Sequence, residues 1–312
     1  MPVFEDFYFD SSTGKNRIHA RMCTPDGEPR AVIQIAHGVA EHINRYDDFM
    51  SFLAENGFVV AGNDHLGHGQ SFESVGDMGF FAEEDGWDRV VEDMDKLRDI
   101  MRQAYPDLPY IFFGHSMGSF LTRTYLIRYP EKYDAAILSG TGHQGKALVL
   151  AGSAAAELMV KTKGPRGDGK VLNDMAFGSY CKQIADPRTP FDWLSRDEAV
   201  VDKYIADPLC GFVAKTSLYR DMMAGVKFIT SQKNIDSMSK DQPIYFMSGE
   251  ADPVGEYGKG VERAYQAFCK AGLHDVTIRL YPDGRHEMLN ELNKDKVYQD
   301  ILNWINARLE TL

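Results

Sequence analysis

A serine lies between two glycines in the pentapeptide GHSMG at residues 114–118. An apolar run at 110–113 comes directly before it, and a helix-like stretch at 119–126 follows it. In a tight strand-to-helix turn the central residue of a G-x-S-x-G motif is held in a strained conformation, and the glycines remove side chains that would clash. The pattern predicts that Ser116 is a nucleophile exposed at the end of a strand, and the alternative is an ordinary glycine-rich turn.

A nucleophilic serine needs a base. Where the serine lies in such a strand-to-helix turn, the base follows it in the chain. Three histidines come after Ser116, namely His143, His274 and His286. His286 is favoured because it lies in a turn just beyond a predicted strand at 276–281, where catalytic side chains gather in open sheets. His143 also follows a predicted strand and is a weaker competitor, whereas His274 precedes its strand and should lie at the opposite end of the sheet.

The base must in turn be oriented by an acid. An apolar run at 243–247 leads into a turn that contains Glu250 and Asp252. Asp252 is favoured as the orienting acid, while Glu250 has the right charge but lies earlier in the turn. Serine, acid and histidine then follow one another in the required order, each just past its own predicted strand.

Attack on a carbonyl group creates an alkoxide, which two backbone N–H groups must stabilise. One donor comes from the residue after the nucleophile, here Met117, and the other from the loop after an earlier strand. In that loop Val39 is the candidate donor, and Gly38 lets the backbone approach the substrate closely. His37 and His115 are assigned with Gly38 to substrate binding, although a side chain that holds the turn in place is favoured for His37 over a catalytic role.

Longer stretches of the sequence resemble the lysophospholipase and monoacylglycerol lipase-like serine hydrolases of the α/β-hydrolase superfamily. Residues 37–46 are similar to that family's H-G-x-x-E-H-x-x-R-Y segment, and residues 64–71 resemble its D-x-x-G-H-G-x-S turn. The pentapeptide at 114–118 matches its G-H-S-M-G elbow, and residues 250–253 and 286–291 are similar to its acid and histidine segments.

This resemblance extends from about residue 30 to the C-terminus and is weakest between about 145 and 235. Ser119 departs from the family pattern, which usually has a second glycine there, but serine is small enough to preserve helix–strand packing. The resemblance implies that Ser116 is the nucleophile, Asp252 the orienting acid and His286 the base. It also implies that Val39 and Met117 are the oxyanion donors.

The composition is that of an ordinary globular enzyme, with 312 residues, of which 44% are hydrophobic and 26% charged. A net charge of −12 argues against a general affinity for nucleic acid or anionic lipid. The first residues lack the features of a secretory signal, and four widely spaced cysteines indicate free thiols, so we expect a cytoplasmic protein. No cofactor or metal is expected, because His65 and His68 have no evident third ligand.

The remaining sequence predicts an α/β fold, the α/β-hydrolase fold, with a mostly parallel, doubly covered sheet. Residues 6–24 alternate around a polar turn and predict an antiparallel hairpin at the sheet edge. Right-handed crossovers place the carboxyl ends of parallel strands on one rim, which brings the candidate site residues together. Helical segments separate six predicted strands, which lie at 31–36, 58–63, 109–114, 135–140, 243–249 and 276–281.

About a hundred residues without a convincing strand interrupt this alternation and predict an inserted helical cap over the site. The predicted boundaries are 144–236 for the cap, and 1–143 with 237–312 for the hydrolase core. The cap opens with an apolar run at 147–160 that is too short to span a membrane. Its Leu148 and Leu150 are assigned to an acyl path or a lipid contact, and the alternative is a helix buried on one side. Aromatic residues that either wall a pocket or hold the cap together are Phe177, Tyr180, Phe191, Trp193, Phe212 and Tyr219.

Together these features predict a serine hydrolase that cleaves carboxylic esters through an acyl-enzyme. The resemblance implies that the substrates are monoacylglycerols or lysophospholipids. The alternatives are a carboxylesterase for short or aromatic acyl groups, an acyltransferase with the same triad, and a non-catalytic receptor, which would have no need of the acid–histidine pair. The expected partners are the lipid ester itself and, through the cap, a transient membrane surface.

Overall fold

A computed structural model describes residues 1–310 and is built around one eight-stranded sheet. The strands are β1 (Val3–Asp10), β2 (Arg17–Thr24), β3 (Ala31–Ala36), β4 (Phe58–Asn63), β5 (Tyr110–His115), β6 (Ala135–Ser139), β7 (Ile244–Gly249) and β8 (Val276–Tyr281). They lie side by side in the order β1-β2-β4-β3-β5-β6-β7-β8. Strands β1 and β2 pair antiparallel, as do β2 and β4, and the other neighbours are parallel. The predicted mostly parallel sheet with an N-terminal hairpin is confirmed.

Helices cover both faces of the sheet. They are α1 (Asp47–Glu55), α2 (Gly86–Ala104), α3 (Met117–Arg128), α4 (Lys146–Lys163), α5 (Lys170–Phe177), α6 (Glu198–Ala206), α7 (Thr216–Ile229), α8 (Gln232–Ile235), α9 (Lys259–Lys270) and α10 (Lys294–Leu309). One apolar core joins the sheet to α2, α3 and α9, and a second joins its other face to α1 and α10. Strands β3 to β7 are therefore buried along their whole length, which explains why they read as continuous apolar runs.

The first strand begins at Val3, three residues before the predicted start of the hairpin. This edge strand alternates between exposed and half-buried side chains, so its apolar signal is weak. Its turn is held by the buried Asp93 carboxylate of α2, which accepts a 2.8 Å hydrogen bond from the Ser11 hydroxyl. The sequence located the hairpin but not its full length.

The stretch between β6 and β7 contains five helices, α4 to α8, and no strand of the main sheet. Helix α7 lies against α2 and α3 of the sheet layer on one side and against α4 on the other. The division of the chain into a core and a cap stays a prediction. Within residues 1–310, no helix is both long and apolar enough to cross a membrane.

Candidate active site

Ser116 occupies the turn between β5 and α3, with φ of +54° and ψ of −123°. Side chains other than glycine rarely adopt a positive φ, so this is the strained conformation expected of an exposed nucleophile. A Cβ atom at Gly114 would collide with the start of α3, and one at Gly118 would collide with the backbone at Ala36. The two glycines are therefore needed for the close packing of β3, β5 and α3.

Ser119 preserves this packing at the position where the sequence departs from the family pattern. It is fully buried, and its hydroxyl donates a 2.6 Å hydrogen bond to the carbonyl oxygen of Ser116. The backbone N–H of Ser116 donates to the carbonyl oxygen of Ser139 on β6. These contacts fix the turn from both sides.

His286 and Asp252 form a buried pair at the carboxyl ends of β8 and β7. The His286 Nδ1–H group lies 3.0 Å from both Asp252 carboxylate oxygens. Asp252 also accepts hydrogen bonds from the Val254 N–H at 2.9 Å and from the Ser248 hydroxyl at 3.0 Å. Because the single ring proton of neutral His286 stays on Nδ1, where it is donated in a hydrogen bond to Asp252, Nε2 is left as a proton acceptor.

The environment shifts the pKa values of Asp252 and His286 in the directions that favour an ion pair. Burial opposes ionisation of Asp252, but the charge of His286 and the donated hydrogen bonds outweigh it and lower the pKa of this carboxyl group. Burial likewise opposes protonation of His286, but the Asp252 carboxylate outweighs it and raises the pKa of the imidazole. Asp252 is thus positioned to stabilise an imidazolium that forms during a reaction.

The other acid and histidines that the sequence offered for these roles are not part of this pair. Glu250 has an exposed side chain at the start of the turn that contains Asp252. His274 is exposed and lies 2.9 Å from Asp241, before β8 begins. For His143, burial and then the neighbouring guanidinium groups lower the pKa to about 4, and its ring faces Arg123 rather than a carboxylate.

Ser116 and His286 line one cavity of about 600 Å³. Gly38, Val39 and His115 line it as well, so the structure brings these predicted site residues together. The His115 ring packs against His286 with 4.7 Å between ring centroids. Burial and then the adjacent His286 lower the pKa of His115 to about 4, so the residue is an uncharged wall of the cavity at neutral pH. Aromatic residues from the stretch between β6 and β7 complete the lining, namely Phe177, Phe191, Trp193, Tyr204, Phe212 and Tyr219.

Leu148 and Leu150 lie outside this cavity, which corrects the prediction that they line an acyl path. Each side chain is 62% exposed on the outer side of α4. Val149 and Ala156 are the buried residues of this helix. The apolar run at 147–160 is hydrophobic on nearly every side, so its periodicity gave no means of choosing the inward face.

The predicted oxyanion donors lie on the two segments that flank Ser116. Met117 is the first residue of α3, where N–H groups have no intrahelical acceptor. Val39 lines the cavity in the loop after β3. A Cβ atom at Gly38 would lie 3.1 Å from Ser116 Cβ and 2.7 Å from Glu41 Oε1, so glycine permits the loop to approach the serine this closely.

His37 is buried beneath this loop and is not among the residues that line the cavity. Its Nδ1–H donates a 2.7 Å hydrogen bond to the Gly38 carbonyl oxygen, and its Nε2 accepts one of 3.0 Å from the His65 backbone N–H. Burial and the nearby His68 hold the pKa of His37 well below its ordinary value. The contacts correspond to the turn-holding alternative rather than to substrate binding.

A buried ion network, to which the sequence analysis assigned no role, joins two loops. One is the loop after β3 (residues 37–42), here called the oxyanion loop after its predicted donor, and the other is the loop after β8 that contains His286 (residues 282–287), here called the histidine loop. Arg45 donates to Glu41 at 2.6 Å and makes two 2.7 Å hydrogen bonds with Glu287, the residue after His286. Glu41 in turn accepts a 2.6 Å hydrogen bond from the Gly38 N–H. The signal was available in the charged positions of the motif at 37–46 and in the acid next to the histidine.

The sheet, the strained serine and the acid–histidine pair define an α/β-hydrolase. Residues 27–293 match the family described as serine aminopeptidase, S33, and the chain belongs to this family. It is therefore a serine hydrolase. A monoacylglycerol lipase of Mycolicibacterium smegmatis is 30% identical over 305 residues, covering 96% of each chain.

Two further proteins support this grouping. The human monoglyceride lipase is 27% identical over 301 residues, covering 94% of this chain and 88% of the relative. The crystal structure of a thermostable carboxyl esterase from Bacillus coagulans, in complex with glycerol, has a TM-score of 0.92 and 32% identity. That likeness covers 98% of this chain and 99% of the esterase chain.

Proposed function

We propose that this enzyme hydrolyses monoacylglycerols through an acyl-enzyme on Ser116. The observation that carries the proposal is one aromatic cavity that contains both the strained serine and the histidine paired with Asp252. The similarity to a monoacylglycerol lipase and to a carboxyl esterase supports the same class of substrate.

In the proposed reaction His286 Nε2 accepts the proton of the Ser116 hydroxyl as the oxygen attacks the ester carbonyl carbon. The N–H groups of Val39 and Met117 donate to the oxygen that becomes negatively charged. The tetrahedral intermediate then breaks its bond to glycerol, which leaves with the proton from His286. Water attacks the acyl-enzyme with His286 again as the base, and the fatty acid is released.

The size and lining of the cavity favour a substrate with a single acyl chain. Its volume of about 600 Å³ lies within the range of sites that enclose one drug-sized ligand. Aromatic side chains such as Phe177 and Phe212 supply apolar surface for the chain. Each buried methylene adds about 0.8 kcal/mol of binding until the cavity ends, so we expect activity to rise with chain length.

The proposed cap, residues 144–236, supplies most of this apolar wall and two contacts to the catalytic histidine, both from Trp193. The Trp193 ring lies against the His286 ring with 5.0 Å between ring centroids. The Trp193 carbonyl oxygen accepts a hydrogen bond from the backbone N–H of His286. We infer that the cap both binds the acyl chain and excludes water from the reacting atoms.

A substrate series tests this proposal against its main alternative, a short-chain carboxylesterase, which the likeness to the carboxyl esterase favours. Monoacylglycerols and p-nitrophenyl esters from acetyl to palmitoyl should show kcat/KM rising to a maximum at medium or long chains. Ser116→Ala, purified in parallel, measures the background. A profile that is flat or falls from acetyl to decanoyl esters would support the carboxylesterase and reject the monoacylglycerol lipase.

A further inference from the structure

A cluster of three potential metal ligands lies beside the oxyanion loop and outside the catalytic machinery. It consists of His42 from the loop after β3, with Asp207 and Cys210 from the segment after α6. One ligand atom from each residue lies within 4.8 Å of the other two. The imidazole Nε2 of His42 is already 2.8 Å from an Asp207 carboxylate oxygen.

The backbone holds these three residues in position. The Cys210 N–H donates a 3.0 Å hydrogen bond to the Asp207 carbonyl oxygen, which closes a tight turn between the two ligands. The Gly211 N–H and the Tyr204 hydroxyl each donate a 2.9 Å hydrogen bond to the carbonyl oxygen of Ala40. The turn is thereby anchored two residues before His42, so the cluster does not depend on flexible surface side chains.

The charges around the cluster favour a cation. Burial raises the pKa of the Cys210 thiol, the Arg45 guanidinium lowers it, and the carboxylates of Glu41, Asp207 and Glu287 raise it further. Arg45 is already bound to Glu41 and Glu287. Asp207 is itself a ligand, so the charged groups around the ligands, Glu41, Glu287 and Arg45, carry a net formal charge of −1, which favours a cation.

We propose that His42, Asp207 and Cys210 form a binding site for a divalent transition-metal ion of the zinc type. Nitrogen, oxygen and sulfur ligands together suit zinc, whereas magnesium and calcium prefer oxygen ligands alone. Ligand atoms around a tetrahedral zinc ion stand about 3–4 Å apart, given bond lengths of about 2.0–2.3 Å. Small side-chain rotations therefore close the site, and water takes the fourth position.

Metal binding releases one proton from the protein. The Cys210 thiol releases one proton to solvent as the sulfur–metal bond forms. The ion takes the place of the Nε2 proton of His42 in the contact with Asp207, and that proton passes through solvent to Nδ1, so the imidazole keeps one proton and its charge does not change. The Asp207 side chain is 30% exposed, which provides a route from solvent for the ion.

An ion at this site would join two segments that both border the active-site cavity. Ala40, two residues before His42, and Gly211, directly after Cys210, line the cavity of Ser116. The bound ion would hold the segment after α6 against the oxyanion loop. Backbone hydrogen exchange in residues 38–42 and 207–211 should therefore slow when zinc is present.

Cobalt spectroscopy of the full chain tests the ligands directly. We expect Co²⁺ to give a thiolate-to-cobalt charge-transfer absorption in the wild type and equally in Cys269→Ser, the matched control at an exposed thiol. Cys210→Ser should lose this absorption, and millimolar Mg²⁺ should not compete. An absorption that is absent from the wild type, or that persists in Cys210→Ser, overturns the proposal.

Thermal unfolding with Zn²⁺ provides a second test that does not depend on the cysteine variant folding. At one hundred times its dissociation constant, zinc should raise the wild-type Tm by about 4 °C. Asp207→Asn should bind zinc at least about tenfold more weakly and lose about half of the shift or more at the same concentration. Equal shifts in the wild type and in Asp207→Asn would place the ion elsewhere and reject the site.

Discussion

The rim that carries Ser116 and the outer helices α4 and α5 are stabilised in different ways. At the rim, charged groups are buried and paired with one another, as in the contacts of Arg45 with Glu41 and Glu287. The outer helices instead expose large apolar side chains, among them Leu148, Leu158 and Met175. A polar network of fixed geometry suits groups that must align within a fraction of an ångström, whereas apolar contact tolerates displacement.

Residues 192–195 connect these two regions. The Arg285 guanidinium donates to the carbonyl oxygens of Asp192 and Ser195, and the Glu287 N–H donates a 2.7 Å hydrogen bond to the Leu194 carbonyl oxygen. This segment is therefore tied to the histidine loop through its backbone. We expect substitutions at the rim to reduce catalysis for every ester, and substitutions in the cavity wall to change the preference for chain length.

The largest loss of activity should come from a substitution in the turn after β7 that contains Glu250 and Asp252. Asp252→Asn should lower kcat by about 10⁴, because His286 would lose both its tautomer control and the charge that stabilises its protonated form. Glu250→Gln is the matched control at an exposed position and should retain most of the activity. Steady-state kinetics on one medium-chain ester measures both variants, and the reverse ranking would assign the orienting role to Glu250.

The ion network should affect stability as well as catalysis. Glu287→Gln leaves Arg45 and Glu41 buried with incomplete partners, which costs about 3–5 kcal/mol in comparable buried pairs. Lys294→Met breaks the exposed ion pair with Asp48 and should change the free energy of unfolding little. Urea unfolding compares the two variants. Equal, small changes would show that the network does not hold the two loops together.

Substitutions in the cavity wall should change the preference for acyl-chain length. Phe177→Ala removes apolar surface that lines the cavity and contacts the Trp193 ring. It should lower kcat/KM for decanoyl esters by about tenfold to a hundredfold, with a smaller loss for acetyl esters. Leu148→Ala, the exposed counterpart on α4, should leave the profile within about twofold. A selective loss in Leu148→Ala would mean that the acyl chain passes over α4 after all.

The pH dependence should show the smallest effect. His286 acts as a base only when it is neutral, so activity falls as the pH decreases through its pKa. The Asp252 carboxylate raises that pKa, so the acid inflection of the wild type should lie above the ordinary histidine value of 6.5. The rate of labelling with a fluorophosphonate probe against pH measures the inflection. In Asp252→Asn it should move to lower pH, and an unchanged inflection would exclude charge stabilisation by Asp252.

The sequence predicted the rim better than the cavity wall for a physical reason. Ser116, Asp252 and His286 each follow an apolar strand, and parallel strands bring their carboxyl ends to one edge whatever the details of packing. The assignment of Leu148 and Leu150 required the inward face of a helix that is apolar on nearly every side, and only the folded structure shows that Val149 and Ala156 are its buried residues. Glu41 and Arg45 were missed because their partner, Glu287, is distant in the chain.

Detection of an acyl group on Ser116 tests the central claim most directly. A medium-chain monoester is mixed with the enzyme, the reaction is stopped in acid during turnover, and the digested protein is analysed by mass spectrometry. We predict one adduct of the acyl mass on the peptide that contains Ser116, with neither adduct nor turnover in Ser116→Ala. An adduct on another residue, or turnover that persists in Ser116→Ala, would contradict the account.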